Sequence, residues 1–143
     1  MNISEYNGVW VFAEQRNGEL QKVSLEILGE GRRLADELGV KLTAVLLGNN
    51  VACLADILGE HGADEILVAE HEALENYTTD GYTKVICELA NERKPGILFI
   101  GATFIGRDLG PRVAARLSTG LTADCTSLEV DVTNGDLLAT RPA

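Results

Sequence analysis

The residues with the most chemical potential sit in one stretch, Gly101-Ala102-Thr103-Phe104-Ile105-Gly106-Arg107-Asp108, followed by Leu109-Gly110-Pro111-Arg112-Val113-Ala114-Ala115-Arg116-Leu117. A helix that begins here offers free N–H groups and a partial positive charge, and Arg107 adds a planar fork of donors. That combination suits recognition of a phosphate or a carboxylate. The two glycines, 101 and 106, have no Lys-Ser/Thr after them, so the loop is not a P-loop, and it does not fit Gly-x-Gly-x-x-Gly spacing either. Nothing in the chain forms a nucleophile–base pair. There is no Gly-x-Ser-x-Gly elbow, no ligand-spaced histidine pair and no carboxylate pair of defined environment, so no catalytic residue and no metal ligand is assigned.

The remaining reactive side chains read as structural. Cys53, Cys87 and Cys125 are far apart with no Cys-x-x-Cys pair, which argues against a disulfide framework or a zinc site. Each is expected to act as a small buried hydrophobe. His61 and His71 stand ten residues apart in loop-like surroundings with no role in metal binding or catalysis.

Elements that position the loop follow from hydrophobic periodicity. Gly96-Ile97-Leu98-Phe99-Ile100-Gly101 is an unbroken apolar run, the signature of a central strand buried on both faces. Ahead of it come strands at Val9–Ala13, Val40–Leu47 and Glu65–Ala69, with helices at 21–38, after Asn50, and from Thr79 or Asp80 to Lys94-Pro95. Asn50 is expected to cap the short second helix, and Gly39 to close the first in a left-handed conformation. The next helix is expected to open at Asp108 as N-cap, with Pro111 in its first turn and Arg112 and Arg116 on a solvated face. Asp124 suits a backbone hydrogen bond in a turn. Tyr6, Trp10 and Phe12 suit core or interface packing. This β-α alternation predicts an α/β, doubly wound, mainly parallel sheet of Rossmann-like type, with ligands gathering at strand carboxyl ends. Thr126–Val132 and Leu137–Arg141, joined by Asn134-Gly135, predict a C-terminal β-hairpin. A sheet that ends on a fresh hairpin without a closing helix reads as cut.

At 143 residues the chain suits a single domain, and 45% apolar with 24% charged residues is the composition of a globular protein. A net charge of −10 disfavours nucleic acid and anionic membrane surfaces as partners. No apolar run reaches the ~20 residues of a membrane span, and the start lacks a basic leader, so the expected compartment is cytoplasmic.

Gly101-Ala102-Thr103…Gly106-Arg107-Asp108-Leu109…Pro111–Leu117, then Thr119-Gly120-Leu121-Thr122-Ala123-Asp124-Cys125, resembles the alpha subunit of electron-transfer flavoprotein. Val9-Trp10-Val11-Phe12-Ala13-Glu14 and Gly62–Val68 are similar too, so the resemblance covers essentially the whole chain. The family implies an N-terminal α/β domain of adenine-nucleotide-hydrolase-like fold and a C-terminal domain that carries FAD. It also implies a heterodimer with a beta subunit, which shuttles electrons from an acyl-CoA dehydrogenase or similar redox partner. Residues 1–143 would be most of the first domain, a scaffold and subunit interface that holds no FAD stably by itself. The Gly-Arg-Asp and Thr-Ala-Asp-Cys versions look most like those of fermentative anaerobes, many of which bifurcate electrons from NADH. In the intact heterodimer the loop Gly101–Asp108, which follows the carboxyl end of the central strand, is expected to face the flavin-bearing cleft or the beta subunit, with Gly101, Thr103, Gly106 and Arg107 as the cofactor-binding positions and Arg107 the foremost contact. Two rival readings are a stand-alone adenine-nucleotide module of universal-stress type, whose Gly-Ser/Thr phosphate loop is missing here, and a flavodoxin-like carrier. The latter needs a hydroxyl-rich loop after the first strand, where Glu14-Gln15-Arg16-Asn17-Gly18 stands instead.

Overall fold

A computed structural model describes residues 8–123 and 127–132. Its elements are β1 (Val9–Phe12), β2 (Gln15–Arg16), β3 (Glu19–Leu20), α1 (Lys22–Leu38), β4 (Leu42–Gly48), α2 (Ala55–Glu60) and β5 (Glu65–Glu70). These are followed by α3 (Thr79–Arg93), β6 (Ile97–Gly101), α4 (Phe104–Arg116), β7 (Gly120–Ala123) and β8 (Ser127–Asp131). One sheet of six strands runs β5-β4-β1-β6-β8-β7. Strands β5, β4, β1 and β6 are mutually parallel, and β8 then pairs antiparallel with both β6 and β7.

The apolar run at β6 is central, between β1 and β8, with all five of its residues buried. Alternation explains why it needs two apolar faces. Ile97 and Phe99 join Val9, Val11, Leu42 and Leu46 beneath Ile27, Leu28 and Ala35 of α1. Leu98 and Ile100 join Trp10, Phe12 and Leu47 beneath Ile86 of α3 and Leu109 and Val113 of α4. Helices thus cover both faces, which is the doubly wound arrangement. Helix α1 lies so close to the sheet that a Cβ at Gly31 would stand 2.7 Å from Val11 Cγ2.

Local capping signals hold at some helix ends and give way at others. Gly39 does close α1 at φ 67°, and Lys94 closes α3 in the same left-handed region just before Pro95. Asn50 is not a cap. It takes φ 57°, and a 3-10 turn over Ala52–Leu54 precedes α2 without side-chain capping. Helix α4 begins four residues earlier than Asp108, with Thr103 as its N-cap, so Pro111 lies inside the helix rather than in its first turn. Thr103 wins because its hydroxyl reaches the N–H of Gly106, the third helical residue. Cys87 is buried, and burial pushes its thiol pKa up, but Cys53 is exposed rather than buried.

The described hairpin is β7–β8. The first arm expected for the Asn134-Gly135 hairpin is β8. Its second arm, together with Asp124 and Cys125, lies outside the described residues. No described helix is long and apolar enough to cross a membrane.

Candidate functional site at the carboxyl ends of β1 and β6

Successive parallel strands step from β1 to β4 to β5, and the chain then returns to place β6 on the other side of β1. The order reverses between β1 and β6, and such a reversal opens the crevice where doubly wound sheets hold ligands. Two segments leave the sheet at that point, Ala13-Glu14 after β1 and Ala102-Thr103 after β6.

Glu14 is 3% exposed, and its Oε1 accepts from Thr103 Oγ1 at 2.6 Å. Its other oxygen stands 3.8 Å from the Arg16 guanidinium. The Glu14 backbone carbonyl accepts from Ser24 Oγ at 2.7 Å and Gln21 N–H at 3.0 Å, which fixes the entry to α1. Thr103 works in both directions, since the hydroxyl that donates to Glu14 also accepts from Gly106 N–H at 3.0 Å. Its carbonyl takes the Arg107 N–H at 2.8 Å. A continuous polar chain therefore runs from Arg16 through Glu14 and Thr103 to the first turn of α4.

Gly101 and Gly106 are both buried. A Cβ at Gly106 would fall 1.8 Å from the Gly101 carbonyl oxygen, and one at Gly101 would fall 2.7 Å from Val23 Cγ2. Thr103 is half-buried with its hydroxyl engaged. Only Arg107 of the four is exposed, and it forms no ion pair among the described residues. Beside it in the first turn Phe104 is 88% exposed. The loop thus brings Gly101, Thr103 and Gly106 together as its frame and leaves Arg107 and Phe104 at the surface.

Asp108, the residue expected to cap α4, accepts instead from Tyr77 Oη at 2.6 Å and from the Thr79 hydroxyl. These bonds, Thr79's foremost, hold its carboxyl pKa below the ordinary carboxylate range. The Tyr77 phenol is pushed up to about 12, first by burial and then by its bond to Asp108. The pair clasps the segment before α3 onto α4. A phenol whose folded pKa exceeds its unfolded pKa gives stability that is complete below the unfolded value of about 10 and fades as pH rises through the folded one. Ultraviolet difference titration of the folded chain is expected to show a late phenol near pH 12 that Tyr77→Phe removes. Burial also pushes up the Tyr82 phenol, so the Tyr77 assignment fails only if Tyr77→Phe leaves the amplitude of the late phase unchanged.

Next to the clasp lies a cleft of about 340 Å³ lined by Gln15, Asn17, Asn49, Asn50, Glu75 and Asn76. It offers amide donors and acceptors together with the Glu75 carboxylate, and no nucleophile beside a base. Gln15, Asn17 and Gly18 of its lining belong to a two-strand ribbon, β2–β3, that strand–helix alternation does not predict. Asn17 at φ 53° and Gly18 at φ 80° form its turn, so the Asn-Gly signal invoked near the C-terminus was also present here. The buried state of Glu14 had no such signal.

Comparison with known proteins adds a second line. The model of the electron transfer flavoprotein domain family matches residues 9–143. A protein named FixB from Clostridium saccharobutylicum is 79% identical over the whole chain, which spans 42% of that relative. An electron transfer flavoprotein subunit alpha from Clostridium acetobutylicum is 71% identical over the whole chain, which spans 43% of it. An acryloyl-CoA reductase electron transfer subunit beta from Anaerotignum propionicum is 53% identical over 92% of the chain and 36% of its own length. The chain spans about two fifths of the length of the curated relatives it matches.

Proposed function

The chain belongs to the electron transfer flavoprotein domain family, and from that premise we propose that residues 1–143 are most of the N-terminal domain of an alpha subunit. The domain serves as scaffold and subunit interface. Paired with a beta subunit, the full-length protein shuttles electrons from an acyl-CoA dehydrogenase or similar partner through FAD in the cytoplasm, within the NADH-bifurcating subgroup. It is an electron carrier rather than an enzyme with acid–base residues of its own. The flavin carries the redox chemistry, and the protein supplies binding and orientation.

One observation supports this reading most. At the carboxyl end of the central strand the structure holds a glycine-packed loop whose Arg107 is exposed and without an ion pair among the described residues. An exposed arginine beside an exposed aromatic ring is the composition of a contact surface. Arg107 supplies donors for a flavin carbonyl, a phosphate or a carboxylate, and Gly101, Thr103 and Gly106 hold it in place for the cofactor-bearing side of the heterodimer.

The test is flavin content after gel filtration. The full-length subunit co-expressed with its beta partner is expected to hold FAD, and the 143-residue chain alone is expected to hold well under one equivalent. Near-stoichiometric flavin on the short chain would move the cofactor site into this domain. Bound AMP or ATP in its mass spectrum would favour the adenine-nucleotide module instead.

A further inference from the structure

We propose that Asn17-Gly18, the turn of the β2–β3 ribbon, is a site of spontaneous deamidation, and that the Gln15 side chain is the guard that holds the reaction back. The reaction needs an asparagine amide open to water and a small residue after it. Asn17 is exposed, its side-chain amide takes no hydrogen bond among the described residues, and a Cβ at Gly18 would meet nothing within 4 Å. The Gly18 backbone nitrogen loses its proton to hydroxide and attacks Asn17 Cγ. An N–Cγ bond forms, the Cγ–Nδ2 bond breaks, and ammonia leaves behind a cyclic imide. Water then opens the ring at either carbonyl, giving aspartate or isoaspartate.

Gln15 opposes the first step. Its Oε1 accepts the Gly18 N–H at 3.0 Å, so the nitrogen that must be deprotonated and turn toward Cγ is held. Gln15 is itself fixed. Its Nε2 donates to the Leu47 carbonyl at 3.0 Å and lies so near Gly48 that a Cβ there would stand 2.7 Å from it. One side chain therefore ties the ribbon's turn, with Asn17 at φ 53° and Gly18 at φ 80°, to the carboxyl end of β4. Ring closure requires the turn to open, and a hydrogen-bonded amide is freed only by local unfolding.

The product alters the cleft beneath the ribbon. Deamidation brings a second carboxylate into the space that Glu75, Asn49, Asn50 and Asn76 line, in a chain already at net charge −10. Isoaspartate also adds a backbone methylene, which breaks the register that pairs Gln15 with Leu20 and Arg16 with Glu19. Both effects are independent of any flavin partner.

Incubation in mildly alkaline buffer followed by peptide mapping tests this, with Asn17 resolved from the other Asn-Gly pairs at 7–8 and 134–135. Asn17 in the folded 143-residue chain is expected to convert at least about tenfold more slowly than in the chain unfolded in guanidinium chloride. Gln15→Leu keeps the bulk and removes both bonds, and should bring the folded rate to within about threefold of the unfolded one. Leu20→Ala loosens the ribbon without touching Gln15 and should accelerate conversion less. Hydrogen exchange reads the wild type alone, because it requires loss of the same Gly18 proton, and that amide should be protected by a factor similar to the deamidation ratio. If Gln15→Leu does not fold, this measurement decides, and Gly18 exchange at the unprotected rate overturns the proposal. Equal rates in folded and unfolded wild type, or no conversion of Asn17 in either, also overturn it. So does a folded Gln15→Leu as slow as wild type, or a Leu20→Ala acceleration equal to that of Gln15→Leu.

Discussion

Replacing Gly106 with alanine is expected to destabilise the chain by about 3 kcal/mol or more, the upper end of what overpacking a close-packed site costs. The added methyl would fall 1.8 Å from the Gly101 carbonyl oxygen, far inside van der Waals contact. Both sides of that clash are backbone, so no rotamer change relieves it. Relief requires α4 to move off the end of β6. That movement breaks the Thr103 cap and pulls Leu109 and Val113 from the core they share with Leu98 and Ile100. The same substitution at Gly29 provides the control. Gly29 is exposed within α1, and a Cβ there meets nothing within 4 Å. Alanine at that position should stabilise by about 0.5–1 kcal/mol through helix propensity alone. Denaturant unfolding of the two variants should therefore move the midpoint in opposite directions. A Gly106→Ala midpoint within error of wild type would mean that the loop is not packed against Gly101.

The contrast between these glycines shows where sequence reading succeeds and where it stops. The unbroken apolar run at Ile97–Ile100 placed β6 at the centre, because only a strand covered on both faces hides every side chain. Gly39 was legible because a left-handed end selects glycine, and the end of α3 because Pro95 cannot continue a helix. Asp108 misled because Asp is a good cap in isolation, while a long-range bond from Tyr77, 31 residues away, claims its carboxylate instead. Nothing local foretells that partner. Glu14 is the extreme case. Charged residues after a strand are normally solvated, and its burial follows from Thr103, which is 89 residues distant in sequence. The frame of the site was visible in one dimension, but the polar chain that closes it exists only once the sheet brings β1 beside β6.

On the proposed reading, Arg107→Ala in the full heterodimer leaves the fold intact and weakens assembly. Arg107 is exposed and without an ion pair among the described residues, so its loss should change stability by no more than about 0.5 kcal/mol. Against the partner, a desolvated arginine at a contact centre is worth about 2 kcal/mol, roughly thirtyfold in Kd. If it faces the flavin, its positive charge also favours the anionic reduced form, and the alanine variant should lower the flavin potential. Removing any arginine makes a chain of net charge −10 more acidic, which alters association with a charged partner at long range. Arg112→Ala controls for this, because it removes the same charge from an exposed position on the same helix. A long-range effect would appear equally in both variants and fade with added salt over a Debye length of about 10 Å. A contact effect belongs to Arg107 alone, persists in salt and appears mainly in dissociation. Arg107→Lys separates charge from geometry, since lysine keeps the charge without the fork of donors. Subunit affinity measured with flavin potential decides the matter. If Arg107→Ala matches wild type in both while Arg112→Ala does the same, the loop from Gly101 to Asp108 serves this domain as scaffold only.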